Sequence, residues 1–332
     1  MAKWYVAAKK ADFQGISEKY GISPVTARII RNRDMVEEEE IRKFLEGGME
    51  DLYSPALLKG MEETVGLLQK KIREKRPIRI IGDYDADGIC SAFILHQGLL
   101  GAGAVADTAI PHRIKDGYGL NDHLVEDAFA AGIDTILTCD NGIAAAPQVA
   151  LAKEKGMTVI VTDHHEIPYE ERGGEKHYLL PPADAVVDPK QEGDVSPFKG
   201  ICGGVVAYKV ICRLYETMGI AEEMEGLLGE LLEAAAFATV CDVMELLDEN
   251  RIIVKEGLEH MKRTRNEGLR ALMEVNGVDR EKLSAYTIGF VLGPCLNATG
   301  RLDTAVRALQ LLEAEDRTEA VQYAAALKQL ND

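Results

Sequence analysis

The chain has 332 residues, of which 46% are hydrophobic and 28% are charged, and its formal net charge at pH 7 is −17. This composition predicts a folded protein with one large or two smaller domains, and the negative charge argues against binding nucleic acid by general electrostatic attraction. No apolar run approaches the roughly 20 residues of a membrane-spanning helix, and the first residues lack the apolar core of a signal peptide. We therefore expect a cytoplasmic location and no membrane contact.

The first 76 residues are predicted to form a helical N-terminal extension. Ser23-Pro24 is a typical helix start, and apolar residues recur at helical spacing from Val36 to Leu45 among acidic neighbours. Strands and helices then alternate, with strands expected at 78–82, 105–110, 135–138, 158–162 and 185–188 and helices at 89–100, 122–131 and 144–155. This alternation predicts an α/β fold with a doubly wound, mainly parallel sheet and crossover helices.

The sequence after Gly200 is predicted to be mainly helical. The expected helices cover 203–215, 222–238, 249–262 and 269–276, and one long helix covers 303–330 with a break near Glu315-Asp316. The chain therefore divides into a helical extension at 1–76, a central domain at 77–302 and a long linking helix at 303–332 that leads toward a second domain.

Carboxylates and imidazoles follow short apolar stretches at four places. Apolar, β-branched residues precede each of them, which is typical of the end of a buried strand. The carboxyl ends of the strands in an open α/β sheet are where such folds build their sites. The four places are Asp83-Tyr84-Asp85-Ala86-Asp87-Gly88, Asp140, Asp163-His164-His165 and Asp242.

This set of side chains predicts a site for a pair of divalent cations. Asp83 and Asp85 are two positions apart, so an extended strand end turns both carboxylates to one side. Two neighbouring cations need a bridging carboxylate, for which Asp140 is the best candidate, and such a pair catalyses phosphoester hydrolysis. Hard oxygen and imidazole donors favour Mn²⁺ or Mg²⁺ over thiolate-bound zinc. The predicted ligands are Asp83, Asp85, Asp140, His164 and Asp242.

The remaining polar residues of these motifs are expected to support the ligands. Adjacent histidines cannot both face one metal from a regular strand, so His164 is assigned to the metal and His165 to the substrate phosphate or the leaving oxygen. Asp163 is expected to orient a histidine by a hydrogen bond. Asp87 is expected to point away from Asp83 and Asp85. It is expected either to cap the helix at 89–100 or to contact the ligand residues without binding the metal itself.

The ordered motifs resemble the DHH phosphoesterase superfamily, and within it the RecJ-like single-stranded-DNA exonucleases. Asp163-His164-His165 is similar to the triplet that names the superfamily, and the resemblance spans essentially the whole chain. The other matching segments are 20–24, 52–55, 82–88, 111–113, 117–120, 138–142, 203–209, 239–244 and 293–301.

The resemblance implies a manganese-dependent 5′-to-3′ exonuclease that acts on single-stranded DNA in repair and recombination. It implies that 77–302 is the catalytic domain, that two Mn²⁺ or Mg²⁺ ions bind there, and that single-stranded DNA is the partner, together with a single-stranded-DNA-binding protein or a helicase. It also makes Arg113, Asn297 and Arg301 candidates for contacts with the substrate phosphates. For each arginine, a structural salt bridge is the rival interpretation.

One family feature does not occur in this sequence, which has no Gly-Gly-Gly-His motif. The resemblance thus covers a catalytic core and linking helix, as expected of a fragment or half of a split enzyme with poor substrate grip in isolation. Two alternatives remain open. One is a phosphodiesterase for short oligonucleotides or cyclic dinucleotides, or a pyrophosphatase. The other is a non-catalytic replication scaffold, which is disfavoured because all the proposed ligands are present.

Overall fold

The computed structural model describes residue 3 and residues 9–113, 117–302 and 305–332, except for the side chains of residues 301 and 302. Contacts between Cα atoms divide the chain into two compact units, Met1–Leu52 and Tyr53–Asp332. The division lies before the predicted domain boundary at residue 76. The helix that spans Met61–Arg73 packs against later elements of the second unit.

The first unit is helical in its described part, as the sequence predicts. It contains α1 (Phe13–Tyr20), α2 (Pro24–Asn32) and α3 (Glu38–Glu46). The Ser23 side chain caps α2 by accepting a hydrogen bond from the Thr26 amide, and Pro24 occupies the first helical position. The capping residue and the proline explain why this helix begins where the sequence indicates.

The second unit is built on a five-stranded sheet in which every neighbouring pair of strands is parallel. The strands are β1 (Pro77–Ile81), β2 (Val105–Ala109), β3 (Thr135–Cys139), β4 (Thr158–Thr162) and β7 (Ala185–Val187). In spatial order they are β2, β1, β3, β4 and β7. Their order reverses between β1 and β3, which creates a crevice at the carboxyl ends of these two strands.

Helices cover both faces of this sheet, so the predicted doubly wound α/β fold is confirmed. On one face, a buried apolar cluster joins the sheet to α6 (Asp122–Ala130) and α7 (Ala146–Glu154). On the other, α5 (Ala86–Gly101), α8 (Gly203–Met218) and α9 (Glu225–Cys241) pack against one another, and α8 also packs against β3 and β4. α4 (Met61–Arg73) precedes these three helices in the chain.

A β-hairpin between β4 and β7 was not predicted. Its strands β5 (Tyr169–Arg172) and β6 (Glu175–Tyr178) are antiparallel, exposed along their length, and joined by Gly173-Gly174. Both glycines have positive φ, at 64° and 87°, which is the geometry of a tight two-residue hairpin turn. The Gly-Gly pair was the signal for this element in the sequence.

The rest of the second unit is helical, as expected. It contains α10 (Asp248–Lys262), α11 (Glu267–Val275), a short α-turn α12 (Ala285–Thr287), a π-helical turn (Ile288–Leu292) and α13 (Gly293–Leu302). The predicted long C-terminal helix is two helices, α14 (Val306–Glu313) and α15 (Arg317–Asn331), and they are separated at the predicted break. Among the described residues, no helix combines the length and apolar character that a membrane crossing requires.

Candidate metal centre

Acidic and imidazole side chains gather at the crevice where the strand order reverses. Asp83 and Asp85 follow β1, Asp140 follows β3, and Asp163 to His165 follow β4. Parallel strands end at the same edge of the sheet, so side chains that are distant in sequence meet there. This is the convergence that the strand-end pattern predicts.

Asp85, rather than Asp87, caps the helix that follows β1. Its carboxylate accepts hydrogen bonds from the amides of Asp87 and Gly88, both at 3.0 Å, and α5 begins at Ala86. The prediction that Asp87 caps a helix starting at residue 89 is therefore wrong. A Cβ atom at Gly88 would lie only 2.6 Å from the Asp83 amide nitrogen, so glycine is needed for α5 to begin this close to the strand.

Asp87 points toward the other acidic groups, because it lies on the first turn of a helix and not on an extended strand. Its two oxygens accept hydrogen bonds from the amides of Gly203 and Gly204 at 2.8 and 2.7 Å. Oδ2 also lies 3.5 Å from Nε2 of His164. The start of α8 thus holds a buried carboxylate in place at the centre of the site.

Asp140 and His164 are in direct contact with each other. Nε2 of His164 lies 3.0 Å from Oδ1 of Asp140, and both side chains are buried. Asp140 has a left-handed backbone with φ of 59°, which aspartate tolerates better than most residues. A Cβ at Gly203 would lie 2.7 Å from the Asp140 Cβ, so a larger residue there would displace the carboxylate.

Asp163 orients the second histidine, as predicted. Its Oδ1 lies 2.7 Å from Nδ1 of His165 and accepts the amide of His164. Its Oδ2 accepts the amide of Ile143. His165 is the more exposed of the two histidines, with 45% of its side chain accessible. One histidine therefore faces the buried carboxylates, and its neighbour faces the open side of the crevice.

Asp242 reaches the site from a helix and not from a strand, which corrects the sequence-based placement. It follows the last residue of α9, and its Oδ2 lies 3.8 Å from Nε2 of His164. The next residue, Val243, has φ of 57° and is 86% exposed. A β-branched residue in this backbone region is strained, so the chain turns sharply at the point where it delivers the carboxylate.

The ligand atoms of these residues form two overlapping groups. In each group, one atom from every residue lies within 4.8 Å of the others. The first group contains Asp140, His164 and His165, and the second contains Asp87, His164 and Asp242. Within the described residues, Asp83 and Asp85 belong to neither group.

The clustered carboxylates have strongly perturbed acidity. Burial, and then the charge of Asp85, raises the pKa of Asp83 to about 7. Burial and the charges of Asp87 and Asp85 raise the pKa of Asp242 to about 7 and that of Asp140 well above its usual range. Burial lowers the pKa of His164, whereas the hydrogen bond with Asp163 raises that of His165.

The site fits divalent cations by its donor set and by its unsatisfied atoms. Oδ1 of Asp140 and Nε2 of His164 are buried and, despite their 3.0 Å contact, form no well-aligned hydrogen bond with any residue that the structure describes. Buried polar atoms of this kind require an explanation. Both atoms point into the groups described above. A cation would satisfy them and would offset the repulsion among the carboxylates, and oxygen and imidazole donors suit Mn²⁺ and Mg²⁺.

The three predicted phosphate contacts have different surroundings. The Arg113 guanidinium lies over the ring of Tyr84, 5.2 Å from its centroid. Oδ1 of Asn297 accepts a hydrogen bond from the Ala86 amide at 2.9 Å and so supports the start of α5. Arg301 belongs to α13, but its side chain lies outside the described residues.

Two further residues of the site were not predicted. The Tyr118 hydroxyl donates to the Asp140 carbonyl at 3.0 Å and lies 3.2 Å from Nε2 of His165. Asp188 is fully buried after β7, its Oδ2 has no hydrogen-bond partner among the described residues, and burial raises its pKa to about 7. The apolar run before Asp188 was the same strand-end signal that identified Asp140, whereas no pattern in the sequence placed Tyr118 beside His165.

Comparisons with known proteins agree with this geometry. The chain is 38% identical over 330 residues to the "Single-stranded-DNA-specific exonuclease RecJ" of Bacillus subtilis, covering 99% of this chain and 40% of the relative. It is 35% identical over 285 residues to the protein of the same name from Thermus thermophilus, covering 85% of this chain and 40% of the relative. The chain thus spans about two fifths of the length of these curated relatives.

Solved structures show the same fold. A RecJ from Thermus thermophilus in complex with Mn²⁺ matches with a TM-score of 0.79 and 31% identity, over 96% of this chain and 43% of the other. An exonuclease RecJ bound to manganese matches with a TM-score of 0.73 and 35% identity, over 82% of this chain and 66% of the other. Residues 77–239 match the model of the DHH family, N-terminal domain. The chain belongs to the DHH family.

Proposed function

We propose that this chain is the catalytic core of a metal-dependent phosphodiesterase that removes nucleotides from the 5′ end of single-stranded DNA. The observation that carries the proposal is the pair of buried atoms Asp140 Oδ1 and His164 Nε2, which lie 3.0 Å apart among further carboxylates and form no well-aligned hydrogen bond with any described residue. The names of the relatives support the substrate, and the digestion polarity comes from the family resemblance. The domain assignment of 77–302 as the catalytic part belongs to the same proposal.

Two Mn²⁺ or Mg²⁺ ions would be held by the clustered carboxylates and one histidine. When bound, such a pair supplies an activated water and neutralises charge on the phosphate. The geometry supports Asp87 as an additional ligand, because its Oδ2 lies beside His164 in the same group as Asp242. The proposed ligands are Asp83, Asp85, Asp87, Asp140, His164 and Asp242.

His165 and Asp163 would act together on the substrate. The hydrogen bond from Asp163 raises the pKa of His165, so a larger fraction of the imidazole carries a proton at neutral pH. A protonated imidazole at the open side of the crevice can donate to a phosphate oxygen or to the leaving oxygen. The Tyr118 hydroxyl holds the Asp140 backbone and limits how far His165 can turn.

Arg113 would bind the phosphates of the DNA. Its guanidinium is exposed and rests on Tyr84, and this face-on contact leaves its N–H groups able to bind phosphate oxygens. Arg301 is retained as a second phosphate contact. A single-stranded-DNA-binding protein or a helicase as partner, and a cytoplasmic location, are parts of the proposal that need their own tests.

Digestion of end-labelled DNA tests this function. With Mn²⁺, we expect the chain to release labelled mononucleotides from 5′-labelled single strands before 3′-labelled ones, and to leave duplex DNA intact. Asp140→Asn keeps the backbone preference of this position and should be inactive, while the exposed Asp127→Asn should behave as wild type. Equal activity of Asp140→Asn and wild type would refute the metal centre. Activity only on dinucleotides, cyclic dinucleotides or pyrophosphate would refute the DNA substrate.

A further inference from the structure

Two aromatic side chains stack on each other at the surface of the second unit. Tyr286 and Phe290 are 68% and 71% exposed, with ring centroids 4.8 Å apart and planes inclined by 27°. We call them the aromatic pair. Contiguous exposed apolar surface is a mark of interaction sites, and two stacked rings present such a surface together with their π-faces.

The helical segment that carries the pair forms a wall of the metal centre. A Cβ at Gly289 would lie 3.4 Å from Cγ1 of Val240, and one at Gly293 would lie 2.5 Å from Sγ of Cys241. Both of those partners immediately precede Asp242. Further along the same segment, Asn297 bonds to the Ala86 amide beside Asp85. The aromatic pair therefore lies at one end of a helical segment. This segment packs first beside the residues that precede Asp242 and then, at Asn297, beside Asp85.

The backbone of this wall departs from regular helix at the pair. Ile288–Leu292 forms a π-helical turn, a feature that occurs frequently at functional sites. Val243, on the facing segment, has a strained left-handed backbone and is exposed. Both irregularities fall within a few residues of Asp242 or Phe290, where the wall meets solvent.

The charge of the protein favours a non-ionic contact with DNA in addition to the proposed metal ions and Arg113. With a net charge of −17, this chain cannot rely on general attraction of the phosphate backbone. Stacking of bases on aromatic rings is independent of phosphate charge and tolerant of sequence, because every base has a π-face.

We propose that the aromatic pair is a base-stacking site, on which nucleotides of single-stranded DNA rest while a neighbouring phosphodiester lies at the metal centre. This inference rests on the proposed function, and it assigns to Tyr286 and Phe290 a role in substrate binding. The site selects for unpaired nucleotides, since the faces of bases within a duplex are already stacked.

The test compares DNA affinity with and without the rings and the bases. Fluorescence anisotropy with Ca²⁺ in place of Mn²⁺ gives the Kd of labelled oligothymidylate for the wild-type chain, for Tyr286→Ala/Phe290→Ala and for Phe129→Ala. Phe129 is the matched control, as it is 50% exposed on α6 with Lys155 over its ring. We expect the double variant to raise the Kd by about 5- to 100-fold and the control to leave it within two-fold, on the order of the experimental error.

An oligonucleotide with abasic sites separates stacking from indirect effects. Removal of the bases should weaken binding to the wild type by a similar factor, yet should not weaken binding to the double variant further. Tyr286→Phe/Phe290→Tyr keeps both rings and should restore the wild-type Kd. If the double substitution and the removal of the bases each weakened binding independently, so that their effects on the Kd multiplied, stacking would be refuted. An unchanged Kd in a double variant with the wild-type melting temperature would refute it as well. A wild-type chain that binds no single-stranded DNA would refute the proposed function itself.

Discussion

Asp83→Asn is expected to stabilise the metal-free protein at pH 8. Burial of the Asp83 side chain, and then the charge of Asp85, raises its pKa to about 7 from the usual value of about 3.9 for an aspartate. A group whose pKa is higher in the folded than in the unfolded state contributes stability that is complete below the unfolded value. This stability is lost as the pH rises through about 7, because ionisation then has to occur in the buried site.

The size of the effect follows from the difference between these two values. At about 1.4 kcal/mol for each pKa unit, ionisation of Asp83 costs roughly 4 kcal/mol at pH 8 and between 1 and 2 kcal/mol at pH 5. Asparagine has nearly the same shape and no charge, so the gain in the free energy of unfolding should be larger at pH 8 by about 2–3 kcal/mol. These values are upper bounds, since the neighbouring carboxylates also adjust.

Urea unfolding in EDTA at pH 5 and pH 8 measures this difference, with the exposed Asp127→Asn as the control. The same variant should lose part of the stabilisation that Mn²⁺ gives to the wild type, because it removes a proposed ligand. If Asp83→Asn is no more stable than the wild type at pH 8, the view of the site as a set of mutually repelling, desolvated carboxylates is wrong.

Three other substitutions or conditions test the site. The increase in melting temperature caused by Mn²⁺ should be greater at pH 8 than at pH 6, since protons compete with cations for carboxylates whose pKa values are raised to about 7; a pH-independent shift would contradict this. Asp163→Asn should lower kcat by about 10- to 100-fold and move the alkaline limb of the pH–rate profile to lower pH, because the raised pKa of His165 depends on Asp163. Gly88→Ala should disrupt the end of β1 and abolish Mn²⁺-induced stabilisation, whereas Gly66→Ala, which meets no atom within 4 Å, should raise the free energy of unfolding by up to about 1 kcal/mol; equal melting curves for the two variants would show that the close approach at Gly88 is not required.

The strand-end residues could be predicted because the period of the apolar stretches and the topology of a parallel sheet together determine where they meet. Asp140 and the histidine pair follow buried strands, so the sequence places them correctly at one edge. Asp242 could not be placed in this way. The short apolar stretch before it resembles a strand, but the tertiary packing of α9 makes it the last turn of a helix.

Asp87 shows a second limit of sequence reasoning. Its direction depends on whether the chain is extended or helical at that residue, and alternation along a strand puts it on the wrong side. The helix begins three residues earlier than expected, because Asp85 caps it and Gly88 lets it approach β1. A shift of a few residues in a helix start, which no periodicity resolves, is enough to turn a carboxylate toward the site instead of away from it.

The delivery of Asp242 by the end of α9 gives the carboxylates of the centre unequal helix-dipole environments. Asp85 and Asp87 lie at the start of α5, where the helix macrodipole is positive and stabilises an anion, whereas Asp242 lies at the negative end of α9. A cation held by the group that contains both Asp87 and Asp242 would therefore bridge the positive end of one helix and the negative end of another. Its removal should leave Asp242 as the less stabilised of these two carboxylates.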